Sequence, residues 1–189
     1  MRFIKLIASI LVTVSISAVA QTPAPGEPLP PLRIEDRGEL LLKDDAFTYA
    51  PWVGNLKAGT VHVVQYFGAT RADSKRFQPL TDKLEQTFSR EQYHVTTIIN
   101  LDAALWGTSG LVVSEVEDSK RKYPLSTMVL DEDGKGVDQW SLGKEGAGLA
   151  IVDGKGIVRL FTAEPMTDAN LDSTVDLVRQ HIEECVKVC

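Results

Sequence analysis

Apolar positions along the chain alternate between short runs and helical stripes. Val61-His62-Val63-Val64-Gln65-Tyr66-Phe67 is β-branched and aromatic with little alternation, the pattern of a central strand covered on both faces. Phe77, Leu80, Leu84 and Phe88 then recur at helical spacing and make one apolar stripe. Thr70-x-x-Asp73 resembles a capping box ahead of it, and Pro79 should bend this helix or displace its start. His94 to Asn100 reads as a second strand. Thr108 can cap a shorter helix that runs to about residue 122, with Glu117 and Arg121 at pairing distance, and Pro124 stops it. Thr127 to Leu130 is a further strand, followed by a turn at Asp131-Glu132-Asp133-Gly134. Leu149 to Val152 and Ile157 to Phe161 flank a turn at Asp153-Gly154-Lys155-Gly156 and form a hairpin. Thr167 or Asp168 can cap a last helix, whose inner face is Leu171, Val175, Val178, Ile182 and Cys185.

Upstream, Leu32 to Glu35 and Glu39 to Leu42 read as two short strands around a turn at Asp36-Arg37-Gly38. The element order is therefore hairpin, β, α, β, α, β, hairpin, α. Strands alternating with helices imply parallel pairing, and the hairpins add antiparallel strands, so the class is an α/β sandwich with a mixed sheet.

The chain start carries different information. Arg2 and Lys5 precede a run of apolar and small residues from Leu6 to Val19, and Ala18-Val19-Ala20 offers a cleavage site before Gln21. Residues 1–20 read as a secretory signal peptide. The apolar run is too short for a membrane span, so a soluble periplasmic protein is expected once the leader is removed. Residues 21–31 hold five of the nine prolines and read as an extended tether, which leaves 32–189 as a single domain. The chain has 189 residues and a formal charge of −6. That balance argues against a nucleic-acid partner, which would need a basic face for phosphates. Two cysteines are too few for a disulfide scaffold or a four-cysteine zinc site.

A strand ending in an aromatic, a strand–helix turn and a late Ile-Val-Asp-Gly-Lys-Gly-Ile-Val hairpin before a terminal helix resemble the thioredoxin fold. More narrowly, Gln65-Tyr66, Thr96-Thr97-Ile98-Ile99-Asn100-Leu101-Asp102-Ala103, Gly107-Thr108, Lys122-Tyr123-Pro124 and Trp140-Ser141-Leu142 resemble the YtfJ family of small bacterial periplasmic proteins. The resemblance implies a thioredoxin-like three-layer sandwich with a mixed central sheet and an N-terminal β-hairpin. Redox members of that fold place a reactive cysteine at the turn into the first helix and a cis-proline facing it. Here the turn is Gly68-Ala69-Thr70-Arg71-Ala72-Asp73-Ser74-Lys75, and the loop before Leu149 is Gly143-Lys144-Glu145-Gly146-Ala147-Gly148. Neither sulfur nor proline is present, so thiol exchange at that place is excluded. A helix N-terminus near Arg71 remains as an expected place for an anion.

Ligands of open parallel sheets bind beyond the C-terminal ends of the strands. Arg71 and Asp73 follow the first strand, and Asn100, Asp102 and Trp106 follow the second, so these five form the expected binding edge. With residues 143–148 they would meet a periplasmic protein, a peptide or a small anion. Asn100 and Asp102 have a plainer reading as caps of the turn that follows. Cys185 and Cys189 are spaced i, i+4 on one helical face and could form a disulfide or serve as a thiol-redox accessory. His181 lies on the same stripe, but three ligands on a terminal helix make poor metal geometry. Asp131 to Gly136 has Lys135 and Leu142 where a calcium loop needs oxygen ligands. No cofactor and no metal are expected, and no base–nucleophile arrangement marks an enzyme.

Overall fold

Why each segment takes its form is clearest in the sheet. The computed structural model describes residues 20–54 and 56–188. The expected leader, apart from Ala20, and Cys189 lie outside the described residues. Seven strands form one mixed sheet in the order β2-β1-β5-β4-β3-β6-β7. They are β1 (Arg33–Lys43), β2 (Ala46–Val53), β3 (Val61–Gly68), β4 (Tyr93–Asn100), β5 (Thr127–Asp131), β6 (Gly148–Val152) and β7 (Val158–Thr162). β3 pairs parallel with β4, β4 pairs parallel with β5, and β6 runs antiparallel on the other side of β3. Every residue of β3 is buried, as its unbroken apolar run requires for a strand covered on both faces.

The helices are α1 (Gln78–Thr87), α2 (Ser109–Lys122), α3 (Lys135–Gln139) and α4 (Asp168–Val188). α1, α2 and α4 share a core with Val63, Phe67, Ile99, Met128 and Leu130 on one sheet face. The opposite face, with Val64, Tyr66, Ile98 and Val129, is covered by Leu32, Ile34, Trp52, Trp140 and Leu142. The arrangement is the thioredoxin-like α/β sandwich that the sequence implied. Among the described residues no helix is long and apolar enough to cross a membrane.

Two local readings are corrected, at the first hairpin and at the start of the first helix. The two strands expected around Asp36-Arg37-Gly38 are one strand, β1, and its hairpin partner is β2. Arg37 and Gly38 take left-handed backbone (φ 56° and 74°) within a bulge between Ile34 and Glu39 of the β2 pairing, and from Arg37 to Glu39 β1 also pairs with β5. A Cβ at Gly38 would lie 2.2 Å from the Ala50 carbonyl oxygen, so only glycine fits that turn of the backbone. Pro79 displaces the first helix rather than bending it: it occupies the first turn of α1, where its missing N–H costs nothing. Asp73 instead opens a separate 3-10 turn, Asp73–Lys75, where its N–H donates to the Thr70 hydroxyl oxygen at 3.1 Å and its carboxylate accepts from the Thr70 hydroxyl at 2.7 Å. The helix N-terminus expected beside Arg71 is therefore seven residues further on, at Gln78.

The proline-rich residues 21–31 are held along β7 rather than standing away from the body. The Gly26 N–H donates to the Val158 carbonyl, the Val158 N–H donates to the Glu27 carbonyl, and Pro28 bridges Ile157. The Trp140 indole N–H donates to the Pro30 carbonyl at 3.1 Å. The run of prolines leaves few N–H groups to satisfy, so a segment that builds no core of its own can still cover an exposed strand edge.

Candidate functional site

Alternation along β4 sends Tyr93, Val95, Thr97 and Ile99 to the face that carries α1 and α2. α1 leans on α4, while α2 leans on β1. The two helices thus diverge, and a groove of about 690 Å³ opens between them. That volume lies within the usual range of small-molecule sites. Its floor is Phe67, Val95, Ile99 and Met128, with Gln65 and Thr97 between them. The Gln65 amide donates to the Thr97 hydroxyl at 2.7 Å. Val112 and Val116 of α2 form one wall, and Thr81, Asp82 and Glu85 of α1 form the other. One end lies at the C-terminal edge of β3, at Gly68 to Arg71 and Leu105. The other end lies at Arg90, Tyr93 and Tyr123.

The five residues of the expected edge do not converge on one point. Arg71 is exposed and lines the groove mouth. Asp73 is half-buried and turned to its own loop, where it accepts from Thr70 and lies 4.0 Å from Arg76. Asn100 is buried, and its side chain accepts from the Asp102 N–H at 3.0 Å. Asp102 is itself exposed. Trp106 is fully exposed, beside Leu105 (73%) and close in sequence to Leu111 (69%). The groove was missed in the sequence because a gap between two helices leaves no motif. The available trace is the small, half-buried pair Val95 and Thr97 in the middle of a strand that is otherwise largely buried.

The opposite face holds two polar clusters. The Tyr66 hydroxyl donates to Asp131 at 2.7 Å, and Asp131 also accepts from the Lys135 and Gly136 N–H groups at the start of α3. Burial, then the Asp131 charge, pushes the Tyr66 phenol well above its ordinary range. His62 and His94 face each other in the β3–β4 register with ring centroids 5.5 Å apart. His62 Nε2 meets the Lys57 carbonyl at 3.0 Å, and its Nδ1 is buried without a partner among the described residues. His94 Nε2 meets the Thr127 hydroxyl at 3.0 Å. Burial lowers both histidines, His94 to about 4.

Cys185 is half-buried and has no disulfide partner among the described residues. It lies against Gly154, which is bonded to Gly59 just ahead of β3. That is the end of the sheet away from Arg71, separated from it by the length of β3, about 23 Å. Among the described residues no group of three His, Cys, Asp or Glu side chains could hold a metal ion. His181 is instead engaged by Glu184 at 2.8 Å. No cis peptide bond occurs among the described residues.

Sheet order, helix placement and the edge at Gly68 define a thioredoxin-like fold with no cysteine among the described residues that line its groove. Solved structures agree on the fold. One titled a putative protein disulfide isomerase from Bacteroides thetaiotaomicron has a TM-score of 0.59 at 12% identity, covering 88% of this chain and 95% of that one. A putative thiol:disulfide interchange protein DsbE from Chlorobium tepidum has a TM-score of 0.56 at 13% identity, covering 85% and 99%. The chain belongs to the family described as "Bacterial protein of unknown function (YtfJ_HI0045)", which matches residues 24–181. Among its relatives is the uncharacterized protein YtfJ of Escherichia coli (strain K12), 29% identical over 177 residues, covering 93% of this chain and 96% of the relative.

Proposed function

We propose that this protein is a non-redox binding module of the bacterial cell envelope, exported to the periplasm through residues 1–20. The observation that carries the reading is the groove. It opens at the sheet edge where thioredoxin-like redox proteins hold their thiols, and its mouth is built from Gly68, Ala69, Thr70 and Arg71. A nucleophilic thiolate is absent from that place, while the concavity around it remains. Arg71 is the member of the expected edge that reaches the groove, and Trp106 stands beside its rim. Asn100 serves the turn that follows it, where its side chain accepts from the Asp102 N–H and caps Leu101–Ala103.

The test combines two measurements on the purified protein. Reduction of insulin disulfides should stay at background, and Cys185→Ser with Cys189→Ser should leave that background unchanged. A phenylnaphthylamine dye should bind with enhanced fluorescence, and Val112→Trp, which fills the groove, should abolish the enhancement. Insulin reduction that depends on Cys185 or Cys189 would replace this reading with a thiol-redox accessory role.

A further inference from the structure

Charge is spread unevenly along the groove. At its far end Arg90 is already engaged, 2.7 Å from Glu85 and 4.7 Å over the Tyr123 ring. On the α1 wall Asp82 accepts from Gln78 at 3.2 Å. At the mouth, the side chains of Arg71 and Lys75 are exposed and have no bonding partner among the described residues. A chain of net charge −6 thus presents two unpaired cations at the open end of its groove. An anionic group gains there and meets no competing carboxylate already paired to them.

The remaining length favours a tail without hydrogen-bonding groups. Gln65 and Thr97, in the floor, are bonded to each other. On the walls and rim, the Thr81 hydroxyl donates to the Gln78 carbonyl, Ser119 to Glu115 and Thr108 to Leu105, at 3.0, 2.8 and 2.7 Å. An extended peptide would bury a row of N–H and C=O groups against the apolar Phe67, Val95, Ile99 and Met128, which offer them no partner. An alkyl chain carries no such groups and would cover Phe67, Val95, Ile99 and Met128. From Ile99 back to Tyr93 the floor spans about 20 Å, which accommodates a medium-length tail.

We propose that the groove binds a single-chain anionic amphiphile, with its carboxylate or phosphate between Arg71 and Lys75 and its tail laid along β4 toward Tyr93. The proposal rests on the binding-module reading and names its ligand class. Exposed Leu105 and Leu111 flank the mouth and shield the first carbons of the tail.

The test is displacement of phenylnaphthylamine by dodecanoate and by dodecyltrimethylammonium, both below micelle formation. Dodecanoate should compete at least about tenfold more tightly. The double variant Arg71→Glu with Lys75→Glu changes only exposed positions and should fold as the parent does. It should abolish or reverse the preference. Equal competition by the two amphiphiles, or a preference unchanged in the double variant, overturns the proposal. Dye binding that Val112→Trp abolishes but neither amphiphile displaces also overturns it, and leaves the binding-module reading standing. Absence of dye binding in the parent overturns both. A thermal melt of Val112→Trp separates a filled groove from a damaged fold.

Discussion

The Tyr66 hydroxyl reaches the Asp131 carboxylate at 2.7 Å in the buried layer beneath α3. The bond joins the central strand to the strand that starts α3, because Asp131 also receives two backbone N–H groups of that helix. Tyr66→Phe keeps the ring and removes one donor to a charged acceptor. It should cost about 2 kcal/mol of stability, the usual scale for a hydrogen bond to a charged group. Urea unfolding measures the loss, and dye affinity at the groove, on the other sheet face, should not change.

Gly136 stands against the same ring. A Cβ built there lies 2.2 Å from Tyr66 Cε2, and that ring is fully buried. Gly136→Ala should therefore destabilise the protein by roughly 1–3 kcal/mol through overpacking, despite the better helix propensity of alanine. Pairing it with Tyr66→Leu should recover part of that loss. A double variant no more stable than the sum of the singles would show that the clash lies elsewhere.

Acid should weaken the fold through the histidine pair. Burial lowers His62 below its ordinary 6.5, and burial, then His62, Lys120 and Lys57, lowers His94 to about 4. The unfolded chain takes up protons near 6.5, whereas the folded one resists protonation at both rings. The His94 contribution is fully present above 6.5 and is lost as the pH falls toward about 4, and His62 acts in the same direction. Urea midpoints across that window should fall with acidification. Carboxylates share the window, so the decisive comparison is His94→Gln, whose midpoint should fall less steeply than that of the parent.

Trp106 is wholly exposed, whereas Trp52 and Trp140 are buried. Trp106→Ala should shift stability by no more than about 0.5 kcal/mol. Acrylamide quenching should lose its most accessible component in this variant. Quenching that stays unchanged would mean that Trp106 is covered in solution.

The central framework could be read from the chain because its signals are local and repeated. Val61 to Phe67 is buried throughout as a two-faced central strand, and the stripe of Phe77, Leu80 and Leu84 faces the core. β2 was missed because Ala46–Val53 is a half-exposed edge strand containing Pro51, which lacks both a clean alternation and a continuous apolar run. α3 was missed because five residues starting Lys-Gly carry no helical period, and Asp131 and packing hold them in place. Of the expected edge, Arg71 could be located, because strand ends are visible in sequence. The way α1 and α2 splay apart is not visible there, since it depends on which neighbour each helix packs against. Asp73 stands at the expected edge by position, but its carboxylate is taken up by Thr70, a bond that the capping-box spacing already contained.

The Gln21 N–H donates to the Gln139 carbonyl at the end of α3, on the side of the sheet turned away from the groove. A polypeptide fused ahead of residue 20 therefore departs from the back of the molecule. Immobilised on a resin through such a fusion, the protein would hold Arg71 and Lys75 toward free solution, so ligand fishing from an immobilised sample reads the same opening that a dissolved one presents.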